Sequence, residues 1–135
     1  MTTSQPAPSA EQISDLFDQA DQLLFKERKY SEAERIYKNI LEADPSNVDA
    51  INSMAYCVKF MAAANSQALP GNLFENLKSL YLKALSFKPT DVEANFNLGL
   101  LYLQFNQDLG LALDCFTKCV EMNKSGSETA KLFTA

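Results

Sequence analysis

The sequence predicts an all-α chain built from three helical hairpins, and three observations carry that expectation. Only four glycines and five prolines punctuate 135 residues. The apolar residues between them recur at three- and four-residue spacing rather than in alternation. Landmark residues also repeat along the chain: Tyr37 and Pro45 recur as Tyr81 and Pro89, each 44 residues on, and repetition at a fixed period marks an array of like units.

The first helix is read from Ile13, Leu16, Phe17, Ala20, Leu23 and Leu24, with Ser9 as its cap, Gln12 as the reciprocal partner and an end near Lys29. Ser31 with Glu34 forms a capping box for the second, whose face is Ala33, Ile36, Tyr37, Ile40 and Leu41 and which stops before Pro45. Ser46 caps a third helix carrying Ile51, Met54, Ala55 and Val58. Asn72 with Glu75 opens a fourth through Leu73, Leu77, Leu80, Tyr81 and Ala84, closed by Pro89. Thr90 with Glu93 opens a fifth through Leu98, Leu101 and Tyr102. Asp108 starts a sixth through Ala112, Cys115, Phe116, Cys119 and Val120.

Composition removes several function classes. A chain of this length with 47% apolar residues supports one domain with a core, burying roughly two thirds of its unfolded surface. A formal charge of -5 and no basic cluster oppose a nucleic-acid or anionic-membrane partner. No apolar run approaches the roughly 20 residues that cross a bilayer, so no membrane insertion is expected. "MTTSQPAPS", residues 1–9, has neither a basic nor an apolar core and reads as a disordered tail. Cys57, Cys115 and Cys119 are an odd number without a secretory signal, which suits a reducing compartment and a cytoplasmic location.

Catalysis finds little support. There is no His, and no GxGxxG, GxxxxGK or GxSxG arrangement, so neither an enzyme nor a small-molecule substrate or cofactor is expected. Cys115 and Cys119 lie four apart on an apolar stripe and read as small core residues rather than metal ligands, as does Cys57. The mixed charges of "FKERKYSEAERIYK", residues 25 to 38, read as a solvated outer face.

Aligning the hairpins refines the period. Phe17, Ala20 and Leu24 recur as Ile51, Met54 and Val58 at a step of 34, and ten residues are inserted between Val58 and Leu77, held by "AAANSQALPGN" at 62–72. Tyr81 to Phe116 is a step of 35, with the extra residue near "FNQDLG". Leu69 and Phe74, beside Pro70, either form a small exposed contact or fold back on the hairpin.

On these residues the chain resembles the tetratricopeptide repeat family. Phe17, Ala20, Leu24, Ala33, Tyr37 and Pro45 carry the likeness in the first repeat, and Leu98, Gly99, Tyr102, Ala112 and Phe116 in the third. The second shows Met54, Ala55 and Val58, then Leu77, Tyr81, Ala84 and Pro89. Asp21 stands where the family favours glycine, Asn95 where it favours a bulky residue and Lys124 where it favours proline. The resemblance implies a right-handed α-solenoid in a single domain, 10–135, with repeats at about 14–47, 48–91 with the insertion, and 92–126. A short capping helix is expected at 127–135, started by Ser127 and shielding the last repeat with Leu132 and Phe133. Gly99, and Ala55 in the second repeat, are then the small residues that let paired helices approach.

The resemblance also implies a concave groove, and the groove positions here are Asp18 and Gln22 with Asp15 and Gln19, then Asn52, Ser53 and Tyr56, then Phe96, Asn97 and Leu100. That surface of amides, hydroxyls, an aromatic and a few carboxylates suits a partner peptide or helix. Asn52 and Asn97 read equally as solvated surface amides, Phe96 and Leu100 equally as cover for a seventh helix, and Asn95 as a helix-start residue with no further role. Some family members clamp chaperone C-terminal carboxylates with lysine, arginine and asparagine; the matching positions here, Asp18, Gln22, Ser53, Glu93 and Asn97, contain no cation. The expectation is a non-catalytic adaptor or scaffold that binds protein. The alternative is a structural subunit packing through its convex or terminal surfaces; an Hsp70/Hsp90 co-chaperone with a non-clamp mode is a remote third.

Overall fold

The computed structural model describes residues 7–64, 72–105 and 108–125. They form six α-helices: α1 (Ala10–Asp21), α2 (Tyr30–Ala43), α3 (Val48–Ala64), α4 (Leu73–Phe87), α5 (Val92–Gln104) and α6 (Leu109–Ser125), with a π-helical turn at Gln22–Lys26 extending α1. All six lie where the apolar spacing places them. The chain divides into two compact units, Met1–Leu69 and Pro70–Ala135, with the boundary inside the inserted segment. The middle pair of helices, α3 and α4, is thereby shared out between the units.

In the first unit α2 packs against both α1 and α3. Ala20, Leu24, Ala33, Tyr37, Ile40, Ala50 and Cys57 form its core, flanked by Phe17, Met54 and Phe60. Tyr37 is fully buried, meets the Phe17 ring edge-on at 5.9 Å, and donates its hydroxyl hydrogen bond to Asp21 Oδ1 at 2.5 Å. Asp21 therefore occupies the family's glycine position with a specific partner. The π turn begins one residue later, and such turns arise where an extra residue is accommodated inside a helix.

In the second unit α5 packs against α4 and α6. Its core comprises Leu73, Leu77, Tyr81 and Ala84 of α4, Ala94, Leu98, Leu101 and Tyr102 of α5, and Ala112, Cys115 and Cys119 of α6. Gly99 faces the Phe116 ring so closely that a Cβ there would lie 2.7 Å from Phe116 Cε1. This is the close approach that the glycine permits. Phe74 packs on Tyr102 and Phe105 at 6.1 and 5.4 Å, so it is part of this packing.

Helix starts depart from the sequence reading in three places. Ser9 and Gln12 do form the reciprocal box on α1, and Asp108 Oδ1 accepts the Leu111 N–H of α6. The Ser31–Glu34 box does not form. Arg28 adopts a left-handed φ of 57° that turns the chain early, and α2 starts at Tyr30 with Lys29 at its cap. Ser31, now inside the first turn, donates to Met61 Sδ, and Glu34 pairs with Lys38. Asn47 rather than Ser46 caps α3, accepting from the Ala50 N–H at 3.1 Å, while Ser46 turns back to Asp44. Asp91 rather than Thr90 caps α5, accepting from the Ala94 N–H at 2.9 Å. Asn72 does stand at the cap of α4, though without a side-chain cap bond.

The insertion also begins differently from the loop reading, because Ala62–Ala64 continue α3. Leu69, Pro70 and most of the insertion, the tail at residues 1–6 and the cap at 127–135 lie outside the described residues.

Candidate partner-binding surface

Each unit contributes its own share of the expected binding residues. In the first, Asp18 and Gln22 are exposed and line an open depression with Gln19, Leu23 and Glu27 along α1 and the π turn. Asp15 is exposed one turn earlier. On α3, Ser53 and Tyr56 are half-buried, whereas Asn52 is buried. Tyr56 sits in a group of rings: it stacks on Phe60 at 6.0 Å and meets the exposed Phe25 of the π turn at 6.1 Å, and Tyr30 adjoins Phe60 at 5.6 Å. Lys59 Nζ lies 5.8 Å from the Tyr56 ring centre, within cation–π range. Phe25 reaches this group from within the π turn, also meeting Phe60 at 6.5 Å.

In the second unit Phe96 is half exposed and rests on Phe116 at 5.8 Å, and Leu100 one turn on is half-buried. Asn97 is 93% buried, and its Nδ2 has no hydrogen-bond partner among the described residues. Asn52 and Asn97 thus lie beneath the surface and are not solvated amides. Asn95 differs from its expected passive role. It is buried, and its Nδ2 donates to the carbonyls of Pro89 and Asp91 at 3.2 and 3.0 Å, tying the first turn of α5 to the turn before it.

Asp18 and Gln22 are exposed in the first unit and Glu93 in the second, and neither unit places a cation at these positions. Sequence reasoning missed the Phe25, Tyr30 and Phe60 ring group; the four-residue spacing of Tyr56 and Phe60 was the available signal.

The titratable groups that shift are buried and hold their protons. Burial pushes the Cys57 thiol up to about 12, with the Glu34 carboxylate adding to it. Burial likewise raises Cys115, Cys119 and Tyr102, and raises Tyr37 together with its hydrogen bond to Asp21. All three cysteines are free and buried, as the apolar stripe predicts. Thiols kept neutral this way are poor nucleophiles and poor ligands. Among the described residues no group of His, Cys, Asp or Glu is arranged to hold a metal ion.

These shifts set an alkaline limit. Unfolded thiols ionise near 9 and phenols near 10, whereas the folded chain retains those protons. The folded state binds more protons above pH 9, so the stability these groups contribute is fully present below that pH and is lost as pH rises through about 12 for Cys57. Urea midpoints are expected to decline between pH 9 and 11, and Cys57→Ala to flatten part of the slope. A flat profile in wild type would contradict the burial of these groups.

The fold is that of a helical-repeat protein. Residues 80–114 match the sequence model of the tetratricopeptide repeat. Solved structures agree on the fold. The translocator chaperone SycD of type III secretion in Yersinia enterocolitica is 15% identical over 93% of this chain and 85% of that one, with a TM-score of 0.73. The first repeat domain of Spaghetti (RPAP3), bound to the HSP90 peptide SRMEEVD, is 18% identical over 92% of this chain and 89% of that one, with a TM-score of 0.69. A double mutant of MamA RS-1 is 18% identical over 84% of this chain and 57% of that one, with a TM-score of 0.65. No curated protein sequence shows significant similarity. No described helix is long and apolar enough to cross a membrane.

Proposed function

We propose that the chain is a non-catalytic protein-interaction module, and that Asp18, Gln22, Ser53 and Tyr56 in the first unit, with Phe96 and Leu100 in the second, are its partner-binding residues, the buried Asn52 and Asn97 supporting them from beneath. The observation that carries the reading is Tyr56, a partly open ring fixed from several sides by Phe25, Phe60 and Lys59. A preordered aromatic loses little freedom on binding and offers both a face and a hydroxyl. The partner segment is apolar or neutral rather than an acidic C-terminal tail, because each unit exposes a carboxylate, Asp18 in the first and Glu93 in the second, among its candidate positions. The repeat match and the likeness to a peptide-bound repeat domain support the reading at the level of class.

Affinity capture from lysate with mass spectrometry tests it, comparing wild type with Gln22→Ala/Tyr56→Ala after circular dichroism shows both are folded. Selective loss of one protein supports these residues as its site. Equal capture by both baits overturns the assignment. A second reading, a structural subunit that packs through a terminal surface, is favoured by the exposed leucines of α6.

A further inference from the structure

The second unit presents an apolar face that no described element covers. Along α5 it consists of Val92, Phe96, Leu100 and Leu103, and along α6 of Leu109, Leu113, Phe116 and Val120. Leu109 and Leu113 are each 65% exposed, Val120 53% and Phe96 47%.

The register of the two helices arranges these residues in layers. The Cys119 thiol donates to the Val92 carbonyl at 3.6 Å, and Phe96 touches Phe116 at 5.8 Å. Antiparallel continuation from those contacts sets Val92 beside Val120, Leu100 beside Leu113 and Leu103 beside Leu109. The result is four layers of paired apolar side chains with no charged residue among them.

From this face we infer that the chain forms a two-fold dimer through α5 and α6. The exposed parts of the eight side chains amount to roughly 600 Å² per copy, so self-pairing buries roughly 1,200 Å², within the range of specific interfaces. A patch of this size is at the upper limit that a monomer leaves open. A two-fold interface requires only that the face be complementary to itself. Paired rows of leucine, valine and phenylalanine, lacking any like charges to oppose, meet that requirement.

Sedimentation velocity of the full chain across a concentration series reads the dimer directly. The expected result is a dimer at micromolar concentration, whose dissociation constant rises by at least about 100-fold in Leu109→Glu/Leu113→Glu, since each copy then places two charges in the interface. Leu109→Ser/Leu113→Ser, milder for folding, is expected to weaken it in the same direction, and circular dichroism checks both. A wild-type monomer throughout the series overturns the inference. So does a dimer unaffected by either double variant. A monomer that dimerises only when residues 126–135 are removed would show that the chain covers the face itself, and would equally overturn it. Phe96 and Leu100 stand in both this face and the proposed partner-binding set, whereas Leu109 and Leu113 stand in the face alone, so capture of a partner by the monomeric Leu109→Glu/Leu113→Glu variant separates this inference from the function proposed above.

Discussion

Tyr37→Ala is expected to cost about 3–5 kcal/mol, a large part of the 5–15 kcal/mol that holds a typical domain. The side chain is fully buried at the centre of the first unit, where α1 and α2 meet, within the core of Ala20, Leu24, Ala33, Ile40, Ala50 and Cys57. Two separable contributions make up that cost. One is the apolar ring against Phe17 and the surrounding core; the other is the hydroxyl donated to Asp21. Tyr37→Phe removes only the second and leaves a part-buried carboxylate short of a donor, so it should cost about 1–2 kcal/mol. Asp21→Gly, which removes the acceptor, should cost less in the Tyr37→Phe background than in wild type. Urea unfolding of the five proteins, the Tyr37→Phe/Asp21→Gly double variant included, measures all three differences. Equal stabilities for the Ala and Phe variants would show that the ring is not packed as described.

Gly99→Val should cost about 1–3 kcal/mol by overpacking, despite replacing a poor helix former. A Cβ at this position falls 2.7 Å from the Phe116 ring, so either the ring or the helix must move. The same contact predicts a reversal. Phe116→Ala destabilises the wild-type chain, but in the Gly99→Val background it relieves the clash and is expected to recover stability. A coupling energy of at least about 1 kcal/mol in the double-mutant cycle is the signature. Independent, additive effects would mean that α5 and α6 are not in contact at this point.

The fold was legible from elementary patterns. Helical spacing of apolar residues, proline stops and the 44-residue recurrence of Tyr37 and Pro45 place all six helices. The starts of three helices were not, and the reason is local competition. Ser46 and Asn47 are neighbours with equivalent side-chain acceptors, as are Thr90 and Asp91, and the geometry of the preceding turn decides which one reaches the free N–H groups. Ser31 lost its capping place to a backbone event at Arg28 that no side-chain pattern announces.

The candidate site was legible in part. Asp18 and Gln22 are exposed, and Tyr56 and Phe96 are partly open, but Asn52, Asn95 and Asn97 are all buried. An asparagine carries the same letter whether it serves as a surface amide or as a buried strut, and the distinction rests on neighbours distant in sequence. Asn95 makes the point: its burial follows from two carbonyls, those of Pro89 and Asp91, that only the folded turn brings within reach.

The placement of the three cysteines has a practical consequence for following the molecule in time. Cys57 belongs to the first unit, Cys115 and Cys119 to the second, and all three are buried. A thiol-directed alkylating reagent therefore modifies each unit only while that unit is open. Nature has installed one clock in each half of the chain. Mass mapping of the modified peptides against time would show whether the halves breathe together or separately, with no engineered label required.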